Sequence, residues 1–162
     1  MNIDSGTPLI TVFIDYFPLE KREMLPLLIE GFLTLPLQLA IIEPAKDLLK
    51  NAVKLPKNGN AIFISEKSME RLFEASDMAL FLMETYHSFV PIKSALRSKV
   101  VPIMQGFSEL KNLTNYNPVT EKGNSFLFDH FTAWNIFAEV VRACENYRFP
   151  YDWKNIIEQG KE

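Results

Sequence analysis

Apolar positions in this chain fall into short unbroken runs, separated by longer stretches in which they recur every three or four residues. "LITVFI" (9–14), "LQLAIIE" (37–43), "NAIFI" (60–64), "DMALFL" (77–82) and "VVPIM" (100–104) are runs of the first kind. They are short, rich in Ile, Val, Leu and Phe, and apolar on both alternating faces, the pattern of strands covered on both sides. Strand starts are expected near Leu9, Leu37, Asn60, Asp77 and Val100. A short sixth strand is expected in "SFLF" (125–128).

The stretches between them have helical spacing. "LEKREMLPLLIEGFLTL" (19–35) sets Met24, Leu27, Leu28, Phe32 and Leu35 in helical register, and the apolar side of Leu25, Leu28, Ile29 and Phe32 is expected to be core. Pro26 belongs in the first turn, where a missing amide is tolerated. "PAKDLLKNAV" predicts a short helix with Pro44 near its start. "SEKSMERLFEAS" predicts another, with Ser65 as N-cap and Ser68 as the alternative. "VPIKSALRS" is a fourth. "TAWNIFAEVVRACENY" is a long amphipathic helix capped by Thr132, with Glu139, Arg142 and Glu145 on its polar side. "FPYDWKNIIEQG" predicts a last helix begun near Pro150. Strand alternating with helix predicts an α/β fold, a Rossmann-like doubly wound parallel sheet. No repeat or linker divides the chain, so residues 1–162 are read as one domain.

Composition narrows the function classes. With 162 residues, 48% hydrophobic and 23% charged, the chain is a globular domain able to bury a core. A net charge of −3 argues against a nucleic-acid partner. The apolar runs are far short of the roughly 20 residues that span a bilayer. The opening "MNIDSGTP" lacks the pattern of a signal peptide. The single cysteine, Cys144, lies in a helical pattern and reads as a buried structural thiol. A cytoplasmic protein without membrane association follows.

In such sheets ligands bind beyond the carboxyl ends of the strands. There the chain offers "DYFPLEK", "EPAK", "SEK", "METYHSF" and "QGFSE". It contains neither G-x-G-x-x-G nor a Walker A sequence. His87 and His130 lack companions at metal-ligand spacing, so no metal and no cofactor are expected. Ser88 and Ser94 stand outside any nucleophile elbow. Asp15 is either a ribose ligand or a solvated carboxylate at the start of a helix. Lys21 either meets a phosphate or is solvated. Tyr86, His87 and Phe89 form either an aromatic platform or packing over the sheet edge.

Several words of the chain, in order, resemble a known family. "ASDMALFL", "SALRSKVVPI" and "NYNPVTEKGNSFLFDHFTAWNIFAEVVRACENYRFPYDWKNI" are similar to the C-terminal domain of bacterial glycogen synthases and plant starch synthases, retaining glycosyltransferases of the GT-B fold. The weaker opening "PLITVFIDYFPLEKREMLPLLIEGF" extends the resemblance over nearly the whole chain. "YNP", "G-x-x-F-L-F" and "Y-R-x-P-x-x-W" between Asn115 and Trp153 are its most specific portion. The resemblance implies a single C-terminal half of a GT-B fold, the half that holds the sugar nucleotide.

It also implies site positions, and most have changed. The family's diphosphate-binding arginine falls on Asp15 or Tyr16; its lysine can be matched by Lys21, and the glycine after it is Arg22. The family word F-E-P-C-G-L falls on "TYHSFV". Its acidic glucose contact therefore becomes Tyr86, its cysteine Ser88, and the glycine that admits phosphate to a helix N-terminus becomes Phe89. The family's T-G-G turn becomes "FSE". The aromatic residue near the base is kept as Phe73, which either stacks or belongs to the core. Lys21, Phe73, Tyr86, Ser88 and Phe89 are thus vestigial candidates for nucleotide-sugar binding, with no catalytic residue among them.

Scaffold words persist where ligand words do not. The expected function is a degenerate glycogen/starch synthase-like domain without transferase activity alone, serving in interaction or regulation, with sugar nucleotide bound weakly or not at all. Its partner would be an N-terminal GT-B domain or another protein. The alternative is the sugar-nucleotide-binding half of an active glucan synthase, using ADP-glucose or UDP-glucose. A third reading is a carbohydrate-binding surface of Tyr86, His87, Phe107 and Tyr116.

Overall fold

The structure, a computed structural model, describes residues 6–44, 47–57 and 59–161. Six parallel strands form one sheet: β1 (Leu9–Phe13), β2 (Gln38–Ile42), β3 (Ala61–Ile64), β4 (Met78–Phe81), β5 (Val101–Gln105) and β6 (Phe126–Phe128). Their order across the sheet is β3-β2-β1-β4-β5-β6. Each of the five predicted starts lies within one residue of the observed strand.

Helices cover both faces. They are α1 (Met24–Phe32), α2 (Asp47–Lys50), α3 (Met69–Ala75), α4 (Val90–Arg97), α5 (Ala133–Tyr147) and α6 (Pro150–Gln159). Ala45 and Lys46, in the stretch read as the start of α2, lie outside the described residues, as does the opening "MNIDS". One core layer joins Ile10, Val12 and Ile14 of the β1 region to Leu25, Leu28, Ile29 and Phe32 of α1 and to Ile136 and Val140 of α5. The other joins Leu9 and Phe13 to Leu72 and Phe73 of α3 and Ile92 and Ala95 of α4. Alternate residues of one strand thus feed opposite layers, which is why the strands read as continuous apolar runs.

The local chemistry explains the exceptions. Pro102 sits inside β5, where a missing amide would ordinarily break a ladder. The amide of Val101 donates to Asp77 O on the β4 side, so that of residue 102 would point to the β6 side. There β6 starts only opposite Ile103, and nothing is lost. Pro26 is in the first turn of α1, as expected. Thr132 caps α5, its Oγ1 accepting from the Asn135 amide at 3.2 Å.

The core face of α1 is Leu25, Leu28, Ile29 and Phe32, as expected, and Leu27, although in helical register with Leu28 and Phe32, is 66% exposed. One expectation is corrected. Neither Ser65 nor Ser68 makes a side-chain capping bond, because a 3-10 turn over Glu66–Ser68 intervenes and carries the chain into α3 through backbone bonds.

After β5 the chain makes an arch before β6. It is held by the Tyr116 amide on Ser125 O and the Asn117 amide on Lys122 O, both at 2.8 Å. Arg142 of α5 fastens it, donating to Asn115 Oδ1 at 3.1 Å and to the Tyr116 carbonyl, while pairing with Glu139. Burial lifts the Glu139 carboxyl above its usual range, and the Arg142 charge works against that rise.

Candidate functional site

The strand order reverses between β1 and β4, and in open sheets of this kind the crevice beyond the strand ends at such a switch point is where ligands bind. The loops expected to converge there do so. Tyr16, after β1, stacks on His87, after β4, with ring centroids 4.6 Å apart. Tyr86 meets Phe107, after β5, edge to face at 6.0 Å. Phe17 meets Phe131, after β6, at 5.6 Å. One rim therefore carries "DYFPLEK", "TYHSF" and "QGFSE" together.

Lys21 stands in a 3-10 turn, Leu19–Lys21, between β1 and α1. Its ammonium is ion-paired with Glu84 across the switch point, and it lies 5.5 Å from the centre of the Phe131 ring. Glu84 is the site residue that sequence reasoning passed over. It lies 63 residues from Lys21, and the only signal for the pair was the adjacency of β1 and β4 implied by a doubly wound sheet.

Helix α4 begins at this rim. A helix start leaves its first amides without partners, which is what makes it attractive to phosphate. Here the Oγ of Ser88 accepts from the Val90 amide at 3.2 Å. Phe89, at the N-cap position, and Tyr86 pack against the core layer beneath α4. Together with Leu110 and Leu113 they line a cavity of about 180 Å³. The start of α4 is thus met by a hydroxyl of its own chain and flanked by aromatic rings.

Phe73 is fully buried and stacks on Phe13 at 5.5 Å, so it presents no face at the rim. Tyr116 is also buried, at 1% exposed, under the arch and beside Phe126. It is removed from the surface proposed for carbohydrate, which leaves Tyr86, His87 and Phe107. Among the described residues, no three His, Cys, Asp or Glu side chains form a group that could hold a metal ion, and no helix is long and apolar enough to cross a membrane.

At the opposite end of the strands, Asp77 ties the sheet together. Its Oδ2 accepts from the Leu9 amide at 2.9 Å, and its carboxylate also accepts from the Tyr147 hydroxyl. Burial raises the Asp77 carboxyl above its ordinary range, and burial beside Asp77 pushes the Tyr147 phenol up to about 12.

Comparison with known proteins agrees with this geometry. The glycogen synthase of Gloeobacter violaceus is 33% identical over 96 residues, 57% of this chain and 20% of that protein. The glycogen synthase of Clostridium acetobutylicum is 22% identical over 165 residues, 96% of this chain and 34% of that protein. The catalytic domain of starch synthase IV from Arabidopsis thaliana, solved with ADP and acarbose, superposes on the whole chain with a TM-score of 0.77 at 14% identity. The chain is glycogen/starch synthase-like in sequence and has a fold shared with GT-B glycosyltransferases.

This synthase-like domain has the fold of one half of a GT-B enzyme, consistent with the C-terminal half. It spans about a fifth to a third of the length of the curated glycogen synthases named above, and 36% of the starch synthase chain. No family model matches the sequence.

Proposed function

We propose that this synthase-like domain has lost the sugar-nucleotide site of its relatives and serves in interaction or regulation. The observation that carries the proposal is the fate of the one retained cation. Lys21 is paired with Glu84, a carboxylate of the same crevice, at the point where a diphosphate would need that charge. A ligand phosphate must compete with a carboxylate already in place. The pair is about a third exposed and therefore worth little to folding, but it cancels the charge that would draw an anion in.

The neighbouring changes act in the same direction. Asp15 or Tyr16 stands in place of the family's arginine, and a carboxylate there repels a diphosphate. Ser88 Oγ holds the Val90 amide, and the Phe89 ring flanks the helix start that a glycine would leave open. Tyr86 is neutral at pH 7 and supplies no carboxylate to glucose. Charge-assisted hydrogen bonds supply most of the affinity for a diphosphate, and several are missing together.

The test is a transfer assay. Incubated with ADP-glucose or UDP-glucose and a maltooligosaccharide, the chain is expected to release no nucleoside diphosphate above buffer. Release that depends on the chain and stops in Lys21→Ala would establish the competing reading, an active sugar-nucleotide-binding half. Addition of an N-terminal GT-B domain from a relative extends the assay to the two-domain enzyme, and no release is expected there either.

A further inference from the structure

Beginning at Phe89 and running away from the rim, the exposed side of α4, the end of α6 and the arch before β6 enclose two adjoining cavities of about 470 and 460 Å³ that share Asn112 and Asn124. Lys93, Arg97, Lys99 and Lys161 line the first, and Lys122 lines the second. No carboxylate lines either one among the described residues, although the chain carries 20 Asp and Glu against 17 Lys and Arg. None of the five cations has an ion-pair partner among the described residues. Glu109 lines only the smaller cavity beyond Phe89. The segregation of charge is local and strong.

The polar groups of the groove are already committed. The Asn124 side chain accepts from the Thr114 amide and donates to the Asn112 and Gln159 carbonyls. The Gln159 side chain accepts from the Gly123 amide and donates to the Glu121 carbonyl. These bonds brace the walls. What remains for recognition is a row of cations, with Lys93 and Arg97 one helical turn apart and about 6 Å between them, and the apolar side chains of Phe89 and Leu96.

We propose that this groove docks an extended acidic segment of a partner protein, with apolar residues interspersed among its carboxylates. Flexible, separated cations suit a string of charges better than one compact anion, which needs donors converging on a point. The two apolar side chains suit leucine or phenylalanine between the carboxylates. A nucleic acid needs a long basic track, which a chain of net charge −3 does not favour, whereas a short acidic segment needs only the groove. The groove meets the rim only at Phe89, and its cations are all distinct from Lys21 and Glu84, so the charge test below reads the groove and not the sugar-nucleotide site.

The probe is a fluorescein-labelled peptide of repeated Glu-Glu-Leu units, followed by anisotropy in about 20 mM salt, where the Debye length is about 20 Å. Saturable binding is expected, weakening as salt rises. The double variant Lys93→Glu, Arg97→Glu should lose about tenfold or more in affinity. Lys54→Glu, Lys57→Glu carries the same charge change on exposed residues before β3, at the far edge of the sheet, and should bind as wild type. Lys161→Ala, at the end of α6, gives a milder loss and guards against misfolding in the double variant. No saturable binding, equal loss in both double variants, or tighter binding of a single-stranded oligonucleotide than of the peptide would each overturn the proposal.

Discussion

Substituting Gly123 by alanine should unfasten the arch that carries the most family-like words of the chain. Gly123 has φ +118°, where a side chain is strained, at a cost of about 1–3 kcal/mol. An added Cβ would also lie 2.5 Å from Tyr116 Cα, 2.6 Å from Asn115 O and 2.6 Å from Tyr116 N. All three are backbone atoms, so no rotamer change relieves the contact. The strand of the arch must move by close to an ångström. That movement loosens the flanking bonds Tyr116 N to Ser125 O and Asn117 N to Lys122 O, worth about 1 kcal/mol each. The sum is about 3–5 kcal/mol, a large part of the stability of an ordinary domain. In urea denaturation followed by Trp153 fluorescence, the midpoint should fall accordingly, and the melting temperature by roughly 10 °C. A loss below about 1 kcal/mol would show that the arch does not approach itself as described.

Other outcomes follow from the packing and the charges. Phe32→Ala removes a fully buried ring between α1 and α5 and should cost about 3–5 kcal/mol, whereas Leu27→Ala on the same helix should cost little; equal denaturation midpoints would refute the helix face. Burial, with Glu145 adding to it, pushes the Cys144 thiol up to about 12. At pH 8 the native protein should therefore react with a thiol reagent about a thousandfold more slowly than the denatured chain, and comparable rates would contradict the burial. The sign for stability is that of a raised pKa: this contribution is intact below the ordinary thiol value of 9 and is lost as pH rises through about 12.

The sheet was legible because parallel, doubly covered strands leave an unmistakable signature of short apolar runs between turn signals. The face of α1 was legible too, as Leu25, Leu28, Ile29 and Phe32, although Leu27 stands in helical register with Leu28 and Phe32 and is exposed. The burial of Tyr116 was hidden. It sits in a polar loop with no period, and only the Arg142 anchor and the close approach at Gly123 fold that loop onto the core. The site shows the same division. Which site positions have changed could be read from the words that resemble the family. That Lys21 is paired with Glu84, and that Ser88 holds the Val90 amide, depend on contacts across loops that no linear pattern encodes.

The central claim, that the crevice at the switch point no longer holds a sugar nucleotide, is tested most directly by calorimetry. ADP-glucose or UDP-glucose is titrated into the wild-type chain and into the triple variant Asp15→Arg, Tyr86→Glu, Phe89→Gly. Each 1.4 kcal/mol of lost interaction weakens binding about tenfold, and two or three such losses carry a micromolar site to roughly millimolar or beyond. The account predicts no saturable heat for the wild type below about millimolar ligand, with affinity partly recovered in the triple variant. A micromolar dissociation constant for the wild type, abolished by Lys21→Ala, would contradict it.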